Sequence, residues 1–551
     1  MTNKEIARAF QDLAAIMELH EENAFKIKTY QNAYITLRKL ETPLADCPLP
    51  AMQAIKGIGK STAEKIMELL QTGQLQAFQT YAQKTPVGVI KMLQIKGLGV
   101  KKIHAIWKQL GIETIGELLY ACAENRLIEL HGFGKKTQTE IQKVLEYYFK
   151  SEHQIHFATV EATAHHFLNL LKKKFPNAPM SFVGAFRRKL PVIERVEILL
   201  GLNPLEINEL EGLKTIQKKE QQYVFTPETL DNAIESAILY TCEPNDFGSK
   251  QFLYTGTRPF LDAFVQQTQG ISFKNLPTET AVFEKANIPY LDPVLREHAD
   301  FIFKKQRPQL ITVSDLQGVI HTHTTYSDGL NTVSEMAHYA KTKGFKYIGI
   351  TDHSKAAFYA NGLKEDRLYQ QWAEIDALNK TFADFKILKG IESDILNDGS
   401  LDYAEDILKQ FDFIIASIHS NLKMDINKAT TRLIKAIENP YTTILGHPTG
   451  RLLLSREGYP IDYQKVIDAC AANRVAIELN AHPYRLDLDW TKIPMAMDKG
   501  VLIGIHPDAH SCAGIDHVQY GIFAAQKGGL EPKNCLNCLN INDFLNYKKT
   551  I

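Results

Sequence analysis

Nine side chains that can bind divalent metal ions lie in short polar segments within roughly the last two-fifths of the chain. They are six imidazoles and three carboxylates: His321, His323, Asp328, His353, Glu392, His419, His447, Asp508 and His510. Nine such groups are too many for one ion, and they suit two or three ions that share bridging ligands. Sites of this kind grip a phosphate and activate a water molecule. The nine residues therefore indicate phosphoester hydrolysis.

Most of these residues come at or after short apolar runs that are typical of buried strands. The run FKYIGI precedes His353, and the run FDFIIA precedes His419. Helical segments alternate with the runs, and this repetition predicts a parallel α/β architecture. In a barrel of this class the site lies at the carboxyl ends of the strands, where we expect the polar groups to meet.

Two pairs of these residues are separated by a single position, His321 with His323 and Asp508 with His510. Because alternate side chains of an extended strand point to one side, we expect each pair to face one ion. Imidazole combined with carboxylate suits Mn²⁺, Zn²⁺ or Fe²⁺ better than Mg²⁺. The predicted cofactors are therefore two or three divalent ions of one of these elements.

The overall composition is that of an ordinary globular protein. The 551 residues are 44% hydrophobic, and 63 basic side chains balance 63 acidic ones, so the net charge does not imply bulk attraction to nucleic acid. The first 150 residues nevertheless carry an excess of about five basic groups. The chain has no apolar stretch of membrane-spanning length, its N-terminus lacks a signal-peptide core, and its seven cysteines are scattered. These features predict a reduced, cytoplasmic location.

Several other metal-type side chains fall outside the nine. Cys535 and Cys538 form an isolated CxxC, which we interpret as coincidental because no second pair accompanies it. We interpret His338 as a helix-face residue and His482 as a residue that supports the ligands. His506, in the segment HPDAHS, is a candidate substrate contact.

Three similar turns recur in the helical first 150 residues: IKGIGK at 55–60, IKGLGV at 95–100 and HGFGKK at 131–136. Two glycines let the backbone turn tightly, and N–H groups at the start of the next helix can bind a phosphate. The candidate DNA contacts are Gly57, Gly59, Lys60, Gly97, Gly99, Lys101, Gly132 and Gly134. A single turn fits a plain helical hairpin equally well, but three copies favour binding to the DNA backbone without sequence preference.

With these turns in place, the chain resembles the bacterial family X DNA polymerases over nearly its whole length. The segments that carry the resemblance are NKEIARAFQDLAAIMELHEENAFKIKTYQNA, DLQGVIHTHTTYSDGLNTVSEMAHYAKTKGFKYIGITDHS, ELNAHPYRLDLDW and PDAHS. The resemblance implies a multidomain protein with an all-α helix–hairpin–helix region, an α+β nucleotidyltransferase-like palm and thumb, and a C-terminal PHP (polymerase and histidinol phosphatase) domain, a distorted (β/α)7 barrel. The expected boundaries are 1–80 for an 8-kDa-like DNA-binding domain, 81–150 for a fingers-like region, 151–300 for the palm and thumb, and 315–551 for the PHP domain.

The resemblance also implies a grouping of the metal ligands. The first ion would be held by His321, His323, Glu392 and Asp508. Glu392 would bridge to a second ion held by His419 and His447, and a third would use Asp328, His353 and His510. Arg451 and Arg485 lie in matching motifs and are candidate phosphate contacts beside the catalytic Glu392 and Asp508.

The palm departs from the family pattern where its catalytic aspartates belong. The family has Gly-Ser, two arginine-type residues and Asp-x-Asp, whereas this chain has VGAFRRK followed by ERVEI. Arg195 and Glu197 occupy the first two aspartate positions, and ungapped counting from PNDFG places Ile238 at the third. An arginine puts fixed positive charge where a metal ion should bind, and an isoleucine offers no ligand. We expect no nucleotidyl transfer, unless Glu194 and Glu197 form an altered site.

The leading hypothesis is a metal-dependent nuclease, a 3′-5′ exonuclease acting on DNA ends or gaps in repair. The alternatives are an active gap-filling polymerase with a proofreading PHP domain, a small-molecule PHP phosphatase and a non-catalytic DNA-end scaffold. Lys26 and Lys28 are candidates for a lyase function implied by the N-terminal resemblance, although a basic helix that contacts DNA is the favoured interpretation.

Overall fold

The computed structural model describes two compact units, Met1–His153 and Gln154–Ile551. The described residues are 1–40, 43–45, 47–95, 97–123, 126–130, 132–151, 154–202, 213–219, 222–227, 237–304 and 306–547. Lys96 and His131, which belong to two of the predicted turns, lie outside these ranges. The expected boundaries near residues 80 and 300 fall within the units and stay predictions.

The N-terminal unit contains only helices as regular structure in its described residues, as the apolar periodicity predicts. The α-helices are α1 (Asn3–Leu19), α2 (Ala24–Leu37), α3 (Leu49–Gln53), α4 (Lys60–Thr72), α5 (Gln76–Ala82), α6 (Val87–Leu93), α7 (Val100–Leu110), α8 (Ile115–Ala123) and α9 (Lys135–Ser151). A capping box starts α1, in which Thr2 and Glu5 satisfy each other's backbone N–H groups. Phe10 and Ile66 lie in one apolar core, and Trp107 and Leu118 lie in a second.

The first half of the second unit is an α+β palm, as expected. Its described strands are β1 (Ile155–His156), β2 (Met180–Val183), β3 (Val192–Ile193), β4 (Val196–Gly201), β5 (Leu213–Lys219), β6 (Gln222–Pro227) and β7 (Ala237–Cys242). The main sheet has the order β2-β4-β7-β6-β5, while β1 pairs with β3. The helices are α10 (Phe157–Lys174), α11 (Gly184–Arg187), α12 (Phe247–Thr255), α13 (Arg258–Gln267), α14 (Glu279–Ala286) and α15 (Asp300–Phe303).

Only the first half of the apolar run MSFVGAF is a strand, although the whole run reads as one in the sequence. Gly184 has φ 63°, a left-handed conformation that glycine adopts without strain, and the chain turns there into α11. This turn brings Arg187 against Glu279 on α14, with an Nη2–Oε2 distance of 2.6 Å. The turn thereby joins the sheet to the following helices.

Glu279 is the centre of a buried ion-pair network in the palm. It accepts hydrogen bonds from Arg187, from Arg296 (2.6 Å) and from the Tyr290 hydroxyl (3.0 Å). Burial alone would raise the pKa of Glu279, but the hydrogen bonds and charges of the two arginines lower it to about 2. The network therefore depends on an ionised carboxylate.

The remainder of the unit is a parallel barrel with helices outside it. Within residues 306–547 the strands are β8 (Gly318–Thr322), β9 (Tyr347–Ile350), β10 (Lys386–Asp394), β11 (Phe413–Ser417), β12 (Ile444–Leu445), β13 (Ala476–Asn480) and β14 (Ile503–His506). They follow one another in chain order across the sheet. A parallel bridge between Thr322 and Ala509 nearly closes the ring. The predicted distorted seven-stranded barrel is confirmed.

The barrel helices are α16 (Val333–Thr342), α17 (Glu365–Asn379), α18 (Glu405–Leu408), α19 (Ile426–Ile437), α20 (Tyr463–Asn473), α21 (Ile493–Asp498), α22 (Val518–Lys527) and α23 (Ile541–Asn546). Apolar residues of the strands and of the surrounding helices form the largest core of the protein. Throughout the described chain, none of the helices combines the length and apolar character needed to cross a bilayer.

We expect Glu279→Gln to destabilise the palm by about 3 kcal/mol at neutral pH, because two buried arginines lose their counter-charge. The folded-state pKa of about 2 lies below the ordinary value of 4.5. The stabilisation is therefore complete above pH 4.5 and declines as the pH falls toward 2. Urea unfolding of the full-length variant at pH 7 and pH 3 measures this difference. Glu284→Gln, an exposed position on the same helix, is the control, and an equal loss at both pH values would contradict the interpretation.

Candidate functional site

The nine predicted ligands lie together at the carboxyl ends of the barrel strands. His321 and Glu392 lie near the ends of β8 and β10, while the others follow their strands by a few residues. Around Asp508 Oδ1, the Nε2 atoms of His323 and His321 lie 3.1 and 3.5 Å away. His321 Nε2 is also 3.2 Å from Glu392 Oε1. These four residues are the first expected ligand set.

Glu392 lies between several imidazoles and presents both carboxylate oxygens to them. His447 and His419 place their Nε2 atoms 3.0 and 3.1 Å from Oε1. His353 places Nδ1 2.9 Å from Oε2. A carboxylate with imidazole nitrogens close to both oxygens is suited to bridging two ions, which is the role that the resemblance implies for Glu392.

The third expected set surrounds Asp328 at the more exposed side of the cluster. His510 Nε2 lies 3.4 Å from Asp328 Oδ2, and His353 Nε2 lies 3.7 Å from Oδ1. One ligand atom from each of these three residues and from His323 lies within 4.8 Å of the others. The structure thus places His323 next to both the first and the third set.

Burial would lower the pKa values of His419 and His510, but the carboxylates of Glu392 and Asp328 raise them to about 10 and about 9, so these imidazoles must lose a proton to bind an ion. Two other donors are already in the states that divalent ions require. Burial would raise the pKa of Glu392, but the neighbouring imidazoles His419, His321 and His353 hold it well below its usual range. Burial, together with His510 and His353, lowers the pKa of His323 to about 3, which keeps this imidazole neutral. Within the described residues, Glu392 Oε2 and His323 Nδ1 are buried without a hydrogen-bond partner. Buried, inward-facing donors of this kind fit bound cations.

The sequence predicts that strand alternation points His321 and His323, and likewise Asp508 and His510, to one side. This expectation is wrong. His321 has φ 64° and Asp508 has φ 50°, so neither pair lies on a continuous extended strand. The register of β8 against β9 also shifts between Val319 and Thr322. Left-handed backbone is rare for residues other than glycine and often occurs at functional sites. These two turns direct the ligands toward each other.

A buried carboxylate that sequence reasoning missed supports the ligands. Glu478 is fully buried in the middle of β13, and its Oε2 lies 2.6 Å from His321 Nδ1. Its Oε1 accepts from Asn480 Nδ2 (3.0 Å), which also donates to Asp508 Oδ2 (3.0 Å). A carboxylate behind a metal-binding imidazole fixes its orientation and raises its basicity. The run VAIELN has the same strand-end pattern as the nine ligands, and this signal points to Glu478.

The histidines and cysteines outside the nine have other surroundings. His506 is fully buried with Nδ1 3.0 Å from Glu478 Oε2, so the prediction that it contacts substrate is wrong. His338 lies on the exposed face of α16, as expected. His482 Nδ1 accepts from the backbone N–H of Tyr484. Among the described residues, no cluster of metal-type side chains includes Cys535.

The two candidate arginines are placed differently. Arg485 Nη1 lies 3.1 Å from Asp508 Oδ2, at the edge of the ligand cluster. Arg451 pairs with Asp489 and donates to the backbone carbonyls of Arg485 and Leu486. The guanidinium of Arg451 is therefore engaged in holding this loop. The structure does not support a phosphate contact for Arg451, while Arg485 stays a candidate.

The three N-terminal turns share one geometry. The first glycines have φ between 83° and 94°, a region that other residues adopt with strain: Gly57, Gly97 and Gly132. The apolar residue between the glycines is buried, and each glycine is exposed. In each turn, the N–H of that apolar residue donates to the carbonyl three residues earlier. The repeated sequence pattern therefore corresponds to a repeated structure.

The second glycines have no internal reason to be glycine. A Cβ atom at Gly59, Gly99 or Gly134 would meet no atom within 4 Å. Gly59 and Gly99 also have ordinary negative φ values and cap α4 and α7 without a side-chain hydrogen bond. The first N–H groups of these helices are thus accessible to an anion, beside the exposed Lys60 and Lys101. The open space beside these glycines leaves room for an external partner.

Comparisons with known proteins agree with this geometry. Family models match at residues 1–75 (helix-hairpin-helix domain), 89–146 (SAM-like helix-hairpin-helix tandem) and 320–482 (PHP domain). The chain is 31% identical to the DNA polymerase/3′-5′ exonuclease PolX of Bacillus subtilis (strain 168) over 571 residues, which covers 100% of both chains. The chain belongs to the PolX family. The family expected from the sequence is confirmed, and its PHP domain is of a metal-dependent class.

Shorter relatives match a smaller share of this chain. A probable phosphatase of Thermoanaerobacter sp. (strain X514) is 30% identical over 244 residues, 42% of this chain and 94% of the relative. A probable phosphatase of Caldanaerobacter subterraneus subsp. tengcongensis is 32% identical over 209 residues, 35% of this chain and 75% of the relative.

The residues expected at the catalytic aspartate positions of the palm lie on or next to two paired strands. Parallel pairing of β4 with β7 places Glu197 directly beside Ile238. Glu197 Oε1 accepts from the Tyr240 hydroxyl at 2.9 Å. The Arg195 side chain is about half exposed, 4.0 Å from Glu194. Among the palm residues that the structure describes, which exclude 203–212 and 228–236, no group of three metal-type side chains occurs.

We expect Glu478→Gln to weaken metal binding by about 10- to 100-fold, because the neutral amide no longer orients and polarises His321. Competition with a chromophoric chelator, with Mn²⁺ and Zn²⁺ titrated separately, measures this affinity. Thermal unfolding of the metal-free variant checks that the barrel is intact. Glu438→Gln removes an exposed carboxylate at the end of α19 and is the control. Unchanged affinity in Glu478→Gln would refute the orienting role.

Proposed function

We propose that this protein is a metal-dependent 3′-5′ exonuclease that trims DNA ends or gaps during repair. The observation that carries the proposal is the convergence of nine ligands on a central Glu392 in the PHP domain. The glycine turns in the same chain indicate that the substrate is DNA, because their accessible N–H groups suit binding to a phosphodiester backbone. The cytoplasmic location stays a prediction.

The proposed ligand sets follow the arrangement implied by the family. The first is His321, His323, Glu392 and Asp508; the second is Glu392, His419 and His447; the third is Asp328, His353 and His510. When bound, Mn²⁺, Zn²⁺ or Fe²⁺ ions would polarise the scissile phosphate and lower the pKa of a bound water toward neutrality. The buried carboxylates keep their negative charge, and Glu478 keeps His321 turned into the site.

Arg485 is the proposed phosphate contact from the protein. Its side chain is mostly buried and lies beside Asp508, so it is held at the edge of the proposed metal centre. A guanidinium at this position can donate two hydrogen bonds to a phosphate and stabilise negative charge that develops during cleavage. Arg451 would act one step further away, by holding the backbone of the loop that carries Arg485.

We further propose that the palm no longer catalyses nucleotidyl transfer. Two-metal transfer needs carboxylates at adjacent positions, and here Glu197 has Ile238 beside it and Arg195 two residues before it. Glu197 is also engaged by Tyr240. In addition, Arg187 and Arg188 are engaged in ion pairs inside the protein, with Glu279 and Glu297. The palm would then hold DNA rather than extend it.

A small-molecule phosphatase is the second candidate, because shorter relatives carry the name probable phosphatase. A phosphatase of that kind needs no helix–hairpin–helix turns, whereas this chain has three. Gap-filling polymerase activity with PHP proofreading is a third possibility, and the name of the Bacillus subtilis relative includes both activities. A non-catalytic DNA scaffold does not account for the full ligand set.

One experiment separates these candidates. Gapped DNA labelled at the 5′ or the 3′ end is incubated with the protein, Mn²⁺ and dNTPs, beside His323→Ala/Asp508→Ala. We expect stepwise shortening from the 3′ end by the wild type and a loss of at least about 100-fold in the double variant, because two first-set ligands are gone. His338→Ala, an exposed histidine on α16, is the control.

Other outcomes would overturn parts of the proposal. Extension of the primer that is absent from a Glu197→Ala variant would show that the palm is active. Rapid release of phosphate from histidinol phosphate, without shortening of DNA, would favour the phosphatase. Shortening that persists in the double variant would place the nuclease outside the PHP domain.

The turns supply a further prediction. We expect Gly99→Ala to weaken binding to double-stranded DNA about five- to tenfold, because the added methyl group stands where an external partner would approach. Alanine is also a poorer N-cap for α7, so thermal unfolding of the variant checks that the loss of stability stays at or below about 1 kcal/mol. Gel-shift titration at fixed salt measures the affinity, since salt alone changes it strongly. Gly116→Ala, an exposed helix position that also has open space, is the matched control. Equal affinity of both variants would contradict the role of the turn.

A further inference from the structure

Exposed apolar side chains lie on three loops that follow barrel strands, two of which carry predicted metal ligands and one of which carries Arg485. Leu330, Phe358 and Tyr484 are 74%, 87% and 46% exposed. Leu330 is two residues after the ligand Asp328, and its N–H donates to the His510 carbonyl at 2.8 Å. Large apolar side chains at the mouth of a charged site indicate a ligand with both an anionic and an apolar part.

Tyr484 is the one of these three whose position the surrounding contacts define most fully. Its N–H donates to His482 Nδ1 at 3.2 Å, and its carbonyl accepts from Leu453 N at 2.8 Å. The next residue is Arg485, whose guanidinium contacts Asp508. The aromatic ring is thus fixed one residue away from the proposed phosphate contact.

The palm contributes to the support of this ring. His156, in β1, packs its imidazole against the Tyr484 ring with centroids 4.4 Å apart. The same imidazole places Nε2 3.1 Å from the Leu453 carbonyl. His482 contacts Tyr484 from within the barrel domain at a ring distance of 5.4 Å. The Tyr484 ring therefore contacts two imidazoles, one from the palm and one from the PHP domain, while nearly half of the residue's surface is exposed to solvent.

We propose that Tyr484, supported by His156 and His482, is a stacking platform for the base of the 3′-terminal nucleotide while its phosphate reaches the metal centre. The inference rests on the proposed exonuclease function and specifies its substrate contact. Every nucleobase has an aromatic face, so stacking accepts all four bases, as a non-specific exonuclease requires. A supported aromatic ring also loses little conformational freedom when the base binds.

The platform gives the palm a function that does not need its catalytic aspartates. Because His156 comes from β1 of the palm, the palm positions the ring that receives the base. His156 is a positioning residue, whereas Tyr484 is the proposed substrate contact. Even without nucleotidyl transfer, the palm would then still be needed to position Tyr484 for the nuclease site.

The test compares two DNA substrates that differ only in the terminal base. One ends in an ordinary 3′ nucleotide and the other in an abasic tetrahydrofuran residue. We expect Tyr484→Ala to lower kcat/KM about tenfold for the ordinary end and to leave the abasic end unchanged, while Tyr484→Phe keeps wild-type rates. His156→Ala should give a smaller loss with the same dependence on the base. Tyr369→Ala is the control, because Tyr369 is a tyrosine of similar exposure (49%) that lies on helix α17 and not on the loop of Tyr484.

A binding measurement makes the result independent of catalysis. DNA with 2-aminopurine at its 3′ terminus is mixed with the wild type in the presence of a chelator, so that no cleavage occurs. Stacking should quench the fluorescence, and Tyr484→Ala should restore at least half of it. Equal loss of kcat/KM on both substrates, or unchanged quenching in Tyr484→Ala, would overturn the platform. Quenching without any metal-dependent shortening would support the platform and overturn the exonuclease proposal.

Discussion

The site depends on a carboxylate that is kept ionised where water cannot reach it. Glu392 is almost completely buried, and three imidazoles approach its Oε1 while a fourth approaches Oε2. An isolated charge in such surroundings would be strongly disfavoured, and only positive partners at close range compensate it. The imidazoles are not placed by their own strands alone; they come from β8, β9, β11 and β12 or the loops after them. The barrel must therefore be nearly closed before the carboxylate has its partners.

The same dependence explains where the backbone departs from ordinary geometry. The bridge between Thr322 and Ala509 joins the first and last strands, and the left-handed residues His321 and Asp508 stand directly beside it. Strained backbone of this kind persists only when surrounding contacts impose it. Here Glu478 and Asn480, on the neighbouring strand, hold the side chains of His321 and Asp508 from behind. The contacts that close the barrel therefore also orient the candidate ligands.

Much of the fold follows from local patterns, and these patterns were sufficient to predict it. The helices of the first unit have apolar spacing and glycine turns, and the barrel strands are short apolar runs separated by helices. The exceptions share a cause. The run MSFVGAF reads as one strand, but Gly184 takes a left-handed conformation that the pattern of apolar residues does not reveal. His506 reads as a candidate substrate contact, yet it lies against Glu478 in the interior. A single backbone turn ends the strand in the first case, and a partner distant in sequence buries the histidine in the second.

The sequence by itself determined the chemistry, because metal binding and phosphate binding demand particular residue types. Nine candidate ligands, three glycine turns and the residues Arg195, Glu197 and Ile238 in the palm are visible without coordinates. The tertiary structure alone decided which groups support that chemistry. Arg451 is paired with Asp489, Glu478 lies behind His321, and His156 packs on Tyr484 from more than 300 residues away. Such pairings arise from the closure of the barrel and from the packing of the palm against it, which no spacing along the chain records.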